Sequence, residues 1–502
     1  MRHSISLLSR WFVALVACFA VAVQAAENHI ETVLQPSKSP LVVFRIWLKT
    51  GSVFDPAGKE GLASLTASLL AKGGSAALSY DQIIQAMYPM ATSFDAQVDK
   101  EMTVFSGVTH VENLDKYYDL IRQMLMEPGF RQEDFDRLKS DATNYLKVSL
   151  REGNDEELGK EELYNLIYGK HPYGFHSVGK LSSLEKLTLT DVKAFYAQEF
   201  NRKNVVIGLA GGYPDSFVEK ISKDFARLPK GKAGKVAKVK LPAPKLAAGR
   251  EIEIIQRDTR ATAISFGIPI KVKRGDPDWA ALTVASAYLG QHRSSVGRLY
   301  QRLRETRGLN YGDYAYTEYF PRGMYQFQPD PNLARQQQIF QVWVRPVEPK
   351  NGQFALRAAL YETEKMIREG ISRENFEATR EFLGKYANIL LQTQDARLGY
   401  ALDSKFYGIG EFGGHLQGEL AKLTVEEVNR AIRKNLNLRD LRIVMITKDA
   451  EGLKQAIEKG LPSMMTYNSP KPPEVMAEDK EIEIYPVHAR SVNIVPVTDI
   501  FR

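Results

Sequence analysis

Leu187-Thr-Leu-Thr-Asp-Val192 opens a helix, and Asn204 to Gly212 (NVVIGLAGG) follows it as a buried strand. A second version stands downstream, Leu423-Thr-Val-Glu-Glu-Val428 and then Asp440 to Thr447 (DLRIVMIT). From 187 to 423 and from 204 to 440 the shift is 236 residues both times. A helix start and a strand start displaced together predict an internal duplication. Upstream, Leu41 to Val53 (LVVFRIWLKTGSV) predicts a strand, being β-branched and aromatic and closed by a Gly turn. Gly61 to Lys72 has helical periodicity, with Gly73-Gly74 as its stop. Met102 to His110 predicts a strand, and Asn113 to Met126, Gln132 to Leu150 and Glu156 to Tyr168 predict helices. The second half repeats the order. Strands fall at Glu251 to Gln256 and Thr262 to Ile270, helices at Trp279 to Leu289 and Val296 to Thr306, and two strands within Tyr311 to Gln328. Long helices follow at Gln353 to Glu369 and Arg373 to Gln392. The pattern is one α+β architecture used twice.

Length agrees, since 502 residues exceed what one hydrophobic core organises. With 44% hydrophobic residues and a single cysteine, disorder, collagen, a disulfide scaffold and a multi-span membrane protein are excluded. The net charge of +7 is modest and forms no long basic stripe, so no nucleic-acid partner is expected. Arg2 and Arg10 flank a polar start, Trp11 to Val23 is an apolar run, and Val23-Gln24-Ala25 has the spacing a signal peptidase accepts. The run is too short to span a bilayer, which takes about 20 residues. Residues 1–25 are therefore expected to be a signal peptide, and the chain to be exported to a bacterial periplasm. Leu15-Val16-Ala17-Cys18 leaves a lipoprotein anchor at Cys18 as the alternative. Two domains are expected at 26–228 and 251–465, joined by the proline- and lysine-rich stretch 229–250. An extended tail, 466–502, would wrap a domain or a partner, or add an edge strand.

Mature-chain chemistry is mostly a matter of absences. Without cysteine there is no thiol nucleophile or thiolate metal site. His171 and His176, in HPYGFH, offer either two metal ligands or a loop with ordinary polar histidines. Gly408, Gly410 and Gly413 spell G-x-G-x-x-G, but behind a helix rather than a strand, so a loop is expected. Asp155, Glu156, Glu157, Glu161 and Glu162 suit the N-terminal end of a helix and are expected on a solvated face.

Two segments go further. The first is Gly61-Leu-Ala-Ser-Leu-Thr-Ala-Ser-Leu-Leu-Ala-Lys-Gly73, preceded by Lys49-Thr-Gly-Ser-Val53 and followed later by Tyr168-Gly-Lys-His-Pro-Tyr-Gly174. The second is Gly297-Arg-Leu-Tyr-Gln-Arg-Leu-Arg-Glu-Thr-Arg-Gly-Leu-Asn-Tyr311. Read alone, it is a helix capped by Ser295, with Arg304 and Arg307 at its basic end, Gly308 as a left-handed stop and Tyr311 starting a strand. Together the two segments resemble the pitrilysin family of metallopeptidases, which includes insulin-degrading enzyme and the mitochondrial processing peptidase. The resemblance covers roughly residues 30 to 460. It implies two homologous domains, each a mainly antiparallel sheet covered by helices, in the family's duplicated half-barrel architecture.

In active members the first segment carries H-x-x-E-H, the inverted zinc motif. By the resemblance its histidines fall on Ser64 and Ser68, its glutamate base on Ala67, and the third ligand near Tyr145. Two hydroxyls, a methyl and a phenol replace two imidazoles and two carboxylates, so no cofactor is expected in this chain. The second segment matches the family's arginine and tyrosine, seven residues apart, at Arg304 and Tyr311. In active relatives that pair holds the substrate backbone and donates hydrogen bonds to the developing oxyanion. The resemblance therefore implies the non-zinc subunit of an exported heterodimeric metallopeptidase. Its partner would be a zinc-bearing relative and its substrates extended peptides. The alternative is a catalytically inactive exported peptide-binding or scaffold protein of the same fold. The stretch Leu289 to Gly297 holds fewer glycines than the glycine-rich loop of the zinc-less mitochondrial chain, which argues against a presequence role.

Overall fold

A computed structural model describes residues 30–231, 243–291, 294–321 and 328–502. The first sheet contains β1 (Glu31–Pro36), β2 (Leu41–Leu48), β3 (Ser93–Val98), β4 (Thr103–His110) and β5 (Val205–Gly211), in the order β1-β5-β2-β4-β3. The second contains β6 (Arg250–Gln256), β7 (Thr262–Ile270), β8 (Asp313–Tyr316), β9 (Gln338–Val347), β10 (Arg442–Thr447) and β11 (Ala489–Pro496), in the order β11-β6-β10-β7-β9-β8. Adding five to every strand number of the first sheet gives the second, with β11 as an extra edge. Pairing senses agree as well. β1–β5 and β6–β10 are parallel, as is the added β11–β6, and every other pair is antiparallel. The chain is thus α+β, two mainly antiparallel sheets built to one plan.

The inner strands β2, β5, β7, β9 and β10 read as near-continuous apolar runs because both of their faces are covered. Five helices matter most: α1 (Leu62–Lys72), α2 (Asp155–Tyr168), α3 (Gly352–Glu369), α4 (Gln394–Tyr407) and α5 (Pro473–Glu483). Each half lends the other a helix. α2, from the first half, lies on β7, β9 and β10, while α4, from the second, lies on β1, β2 and β5. Each crossing needs a glycine. A Cβ on Gly159 of α2 would stand 3.1 Å from Ser265 Oγ, and one on Gly399 of α4 would stand 3.2 Å from the Arg45 guanidinium carbon of β2.

The exchange overturns one expectation. Glu161 and Glu162 are buried rather than solvated, because α2 is sandwiched between the halves. The rest of that acidic group is paired: Asp155 with Arg257 and Thr259, Glu156 with Arg345, and Glu157 with Lys160. A buried polar weld also joins the halves. Asp99, between β3 and β4, accepts two hydrogen bonds of 2.6 and 2.7 Å from Arg335, whose guanidinium lies 3.5 Å from the Tyr319 ring centroid.

Three segments differ from the expected pattern. Gln132–Asn144 is α-helical, but the chain continues as a π-helix over Tyr145–Glu152. Tyr300–Glu305 is also π-helical, where a regular helix capped by Ser295 was expected. The tail is not extended throughout: it forms α5 and then β11, and β11 takes the edge-strand option. The second strand expected before Gln328 and half of the lysine-rich linker fall outside the described residues, as do residues 1–25 and Cys18. No helix among the described residues is long and apolar enough to cross a membrane.

Candidate functional site

α1 begins at Gly61, whose backbone is left-handed at φ 106°. Asp55 caps the helix, accepting the Gly61 and Ala63 amides at 2.7 Å each. Burial pushes the Asp55 carboxyl up to about 7 in spite of those donors. The loop after α2 closes on the same end, since a Cβ on Gly61 would meet the Val178 carbonyl at 2.5 Å. Ser64 and Ser68 are half-buried one turn apart, and Ala67 is a core residue with 3% of its surface exposed. Tyr145 heads the π-helical stretch, with its ring centroid 5.6 Å from that of His176. Among the described residues no group of three or more His, Cys, Asp or Glu is placed to hold a metal ion. Hydroxyls, a methyl and a phenol cannot replace the inverted motif, so the residues at these four positions do not fit a catalytic zinc.

His171 and His176 do not act as a ligand pair. His171 Nδ1 accepts the Tyr173 amide at 3.1 Å and His176 Nδ1 accepts the Val178 amide at 3.0 Å. His176 is half-buried, and burial lowers its pKa. The G-x-G-x-x-G stretch is a helix–loop–helix corner. Gly408 ends α4 in the left-handed region, and Glu411 caps the next helix through the Gly413 and Gly414 amides.

The second segment is built differently. Thr306 donates to the Gln301 carbonyl five residues back, the i→i+5 pattern that recurs at functional sites. Gly308 stops the turn in the left-handed region at φ 68°, donating to Arg304 four residues back, while Leu309 donates to Leu303 six back. Asn310 accepts the Gly312 amide and donates to Asp313 at 2.6 Å, which turns Tyr311 outward with 77% of its surface exposed. Arg304 is about one-third exposed, pairs with Glu305, and lies 4.9 Å from the Tyr300 ring centroid. Both residues thus come to the surface on one short connection. No hydrogen bond or ring contact links them among the described residues.

Arg307, expected only to balance the helix dipole, is the buried anchor of this connection. It donates to Asp479 at 2.8 Å, to Glu478 at 2.7 Å and to the Arg302 carbonyl at 2.8 Å. Lys471 donates to the Thr306 carbonyl at 2.8 Å. The tail and α5 therefore clamp the Arg304 turn from behind, a role invisible in a segment expected to be extended.

Several buried carboxyls are pushed up: Asp55 and Glu101 to about 7, and Glu162 and Asp313 to about 8, in each case chiefly by burial. In the unfolded chain these groups ionise near pH 4, so between there and each raised value the folded state binds more protons. Their stability contribution is full below the unfolded pKa and is lost as pH rises through the folded one. Glu253 and Asp403, also raised by burial, act in the same direction, whereas His176, lowered from 6.5, and Lys100, lowered to about 8, oppose them. Thermal melts should show the midpoint falling from mildly acidic buffer to pH 8, with Glu162→Gln removing part of the slope. A midpoint rising over that interval would contradict this reading.

The insulinase (peptidase family M16) model matches residues 32–178, and the peptidase M16 inactive-domain model matches residues 186–383. A Helicobacter pylori protein described as "Non-peptidase homolog YmxG" is 22% identical over 84% of this chain and 90% of its own length. The crystal structure of a peptidase M16 inactive domain from Pseudomonas fluorescens superposes with a TM-score of 0.71 at 24% identity, covering 84% of this chain and 95% of that one. The periplasmic protease PqqL from Escherichia coli gives a TM-score of 0.66 at 15% identity. That match takes in 92% of this chain but only 50% of PqqL, so the chain spans half of the longer protein.

Proposed function

We propose, from the premise that this chain belongs to the insulinase family of peptidases (M16), that it is the non-zinc subunit of an exported heterodimeric metallopeptidase. One observation carries the reading: the two half-sites have fared differently. The zinc positions hold Ser64, Ala67, Ser68 and Tyr145, while the Arg304–Tyr311 connection is complete, anchored by buried ion pairs and open to the outside. Zinc and the base would come from a partner of the same family. This chain would contribute Arg304 and Tyr311 as donors to a peptide carbonyl, and the outer edge of β3 to an extended peptide. The fold match to half of a longer periplasmic protease supports a chamber that needs a second unit of similar size. The apolar run at Trp11 to Val23 supports export.

The second reading, an inactive exported peptide-binding or scaffold protein, is favoured by the non-peptidase description of the Helicobacter pylori relative. Purified alone, the chain should contain far less than one zinc per molecule and cleave no peptide. Mixed with an exported relative bearing H-x-x-E-H, it should form a complex whose chelator-sensitive cleavage exceeds that of either chain. Stoichiometric zinc or cleavage by the lone chain would sink the subunit reading. A stable complex without cleavage, or extended peptides bound by the lone chain, would transfer support to the scaffold reading.

A further inference from the structure

Glu161 and Glu162 leave α2 side by side at the junction of the halves, in contrasting surroundings. Glu161 accepts a 2.8 Å hydrogen bond from the Tyr319 hydroxyl. Burial alone would raise its pKa, but His176, Lys100, Tyr319 and Arg335 outweigh burial and hold the carboxyl below the usual range. Glu162 is only 5% exposed and has no hydrogen bond or ion pair among the described residues. Burial and the nearby Glu253 and Glu161 push its carboxyl up to about 8. Across from it, Glu253 of β6 is likewise without a partner among the described residues, and burial raises it too.

Both carboxyls line one cleft of about 180 Å³. Phe175 and His176 wall it on one side, and the last residues of the chain, Asp499 to Arg502, cover another. The tail is fixed there: the Leu181 amide donates to the Phe501 carbonyl at 2.7 Å, and the Phe501 ring lies 6.3 Å from that of His176. The cations on the lining have other partners. Arg502 pairs with Asp499 at 2.8 Å, and Lys180 faces Glu60 at 3.8 Å and the Phe175 ring at 5.4 Å. Asn165 donates its amide hydrogens to the Gly174 carbonyl at 2.7 Å, which leaves its oxygen as a further acceptor.

A buried carboxylate lacking donors and counter-charge is unfavourable, and one placed on an accessible cleft is relieved by a cation. Two carboxylates, a carboxamide oxygen and aromatic rings suit a cation that carries N–H donors and an apolar stem. We infer that the cleft between Glu162 and Glu253 binds an organic ammonium or guanidinium group, either as a free amine or as the basic side chain of a peptide. The inference is independent of the subunit reading, because no residue of the Arg304–Tyr311 connection lines the cleft.

The test uses the full mature chain and two probes followed by NMR and calorimetry. One is n-butylammonium, and the other is a short alanine peptide blocked at both ends with a central lysine. Saturable binding of at least one probe is expected. It should weaken about tenfold or more in Glu162→Gln with Glu253→Gln, the range for loss of a charge-assisted hydrogen bond. For the peptide, acetylating the lysine should do the same. Equal binding of both probes marks a site for the free cation, and binding of the peptide alone marks one for a peptide side chain. Glutamine is isosteric and removes a buried charge, so the double variant is expected to melt no lower than the parent at pH 8. If it fails to fold, the less buried Glu253→Gln alone serves. Neither probe saturating, unchanged binding in the variant, or an acetylated peptide binding as well as the free one would each overturn the site.

Discussion

Asp99→Ala should destabilise the protein by about 3–5 kcal/mol, the usual result of stranding one member of a buried ion pair. Asp99 and Arg335 come from different halves and exchange two short hydrogen bonds, and both are almost wholly buried. The guanidinium is enclosed by the rings of Tyr319, Tyr164 and Tyr173, and its Nη1 has no hydrogen-bond partner. Without Asp99 nothing within reach neutralises it directly. Glu161 is held by the Tyr319 hydroxyl, and Glu101 by the Gln336 amide and the Tyr173 hydroxyl. Adjacent Lys100, which burial lowers to about 8, would add repulsion. Denaturant melts should show the loss as a reduced midpoint, and heat as a drop of roughly 3–5 °C. Removing both partners is a different matter, because an apolar pair of similar volume avoids the desolvation cost. Asp99→Ala with Arg335→Met should therefore recover more than half of the loss. A single variant within about 1 kcal/mol of the parent would show that the junction is not welded there.

How much of this was legible in the sequence depends on the scale of the signal. The duplication was visible as two fragments shifted by 236, and the matching strand orders of the sheets follow the same plan. Strands such as β2 and β10 declared themselves through unbroken apolar runs, since burial on both faces leaves no alternation. The helix exchange was there to be found and was not. Asp155 to Gly159 (DEELG) recurs as Asp395 to Gly399 (DARLG), a shift of 240, and in each copy the glycine faces a side chain of the other half's sheet, Ser265 for Gly159 and Arg45 for Gly399. An acidic helix start looks solvated unless its glycine is recognised as a packing signal. The π-helical turns at Tyr145 and Tyr300 left no local mark, because i→i+5 bonding depends on tertiary anchors such as Arg307 with Asp479. The tail hid its helix behind prolines at 470, 472 and 473, of which Pro473 sits at the first helical position, where proline is tolerated. Candidate side chains were legible at Arg304 and Tyr311. The residues that hold them lie about 170 positions away, beyond the reach of any local pattern.

In a reconstituted complex, Arg304→Ala with Tyr311→Phe should cut kcat for peptide cleavage by about a hundredfold or more, the usual scale for losing an oxyanion donor. The reasoning separates chemistry from stability. Tyr311 projects into solvent, so losing its hydroxyl removes no packing, and among the described residues Arg304 pairs with its neighbour Glu305 and a half-exposed ring. Exposed substitutions of this kind change stability by about 0.5 kcal/mol or less. Melting and complex formation should therefore match the parent while turnover falls. Arg307→Met would act otherwise. It breaks the buried anchor to Asp479 and Glu478, so it should lower the melting point as well as turnover. If donation to the carbonyl grows as charge develops there, the exposed pair should lower kcat more than it raises KM, because a donor used equally in ground and transition states would alter KM alone. Full activity of the complex without Arg304 and the Tyr311 hydroxyl would leave this chain as a wall of the chamber with no part in the chemistry.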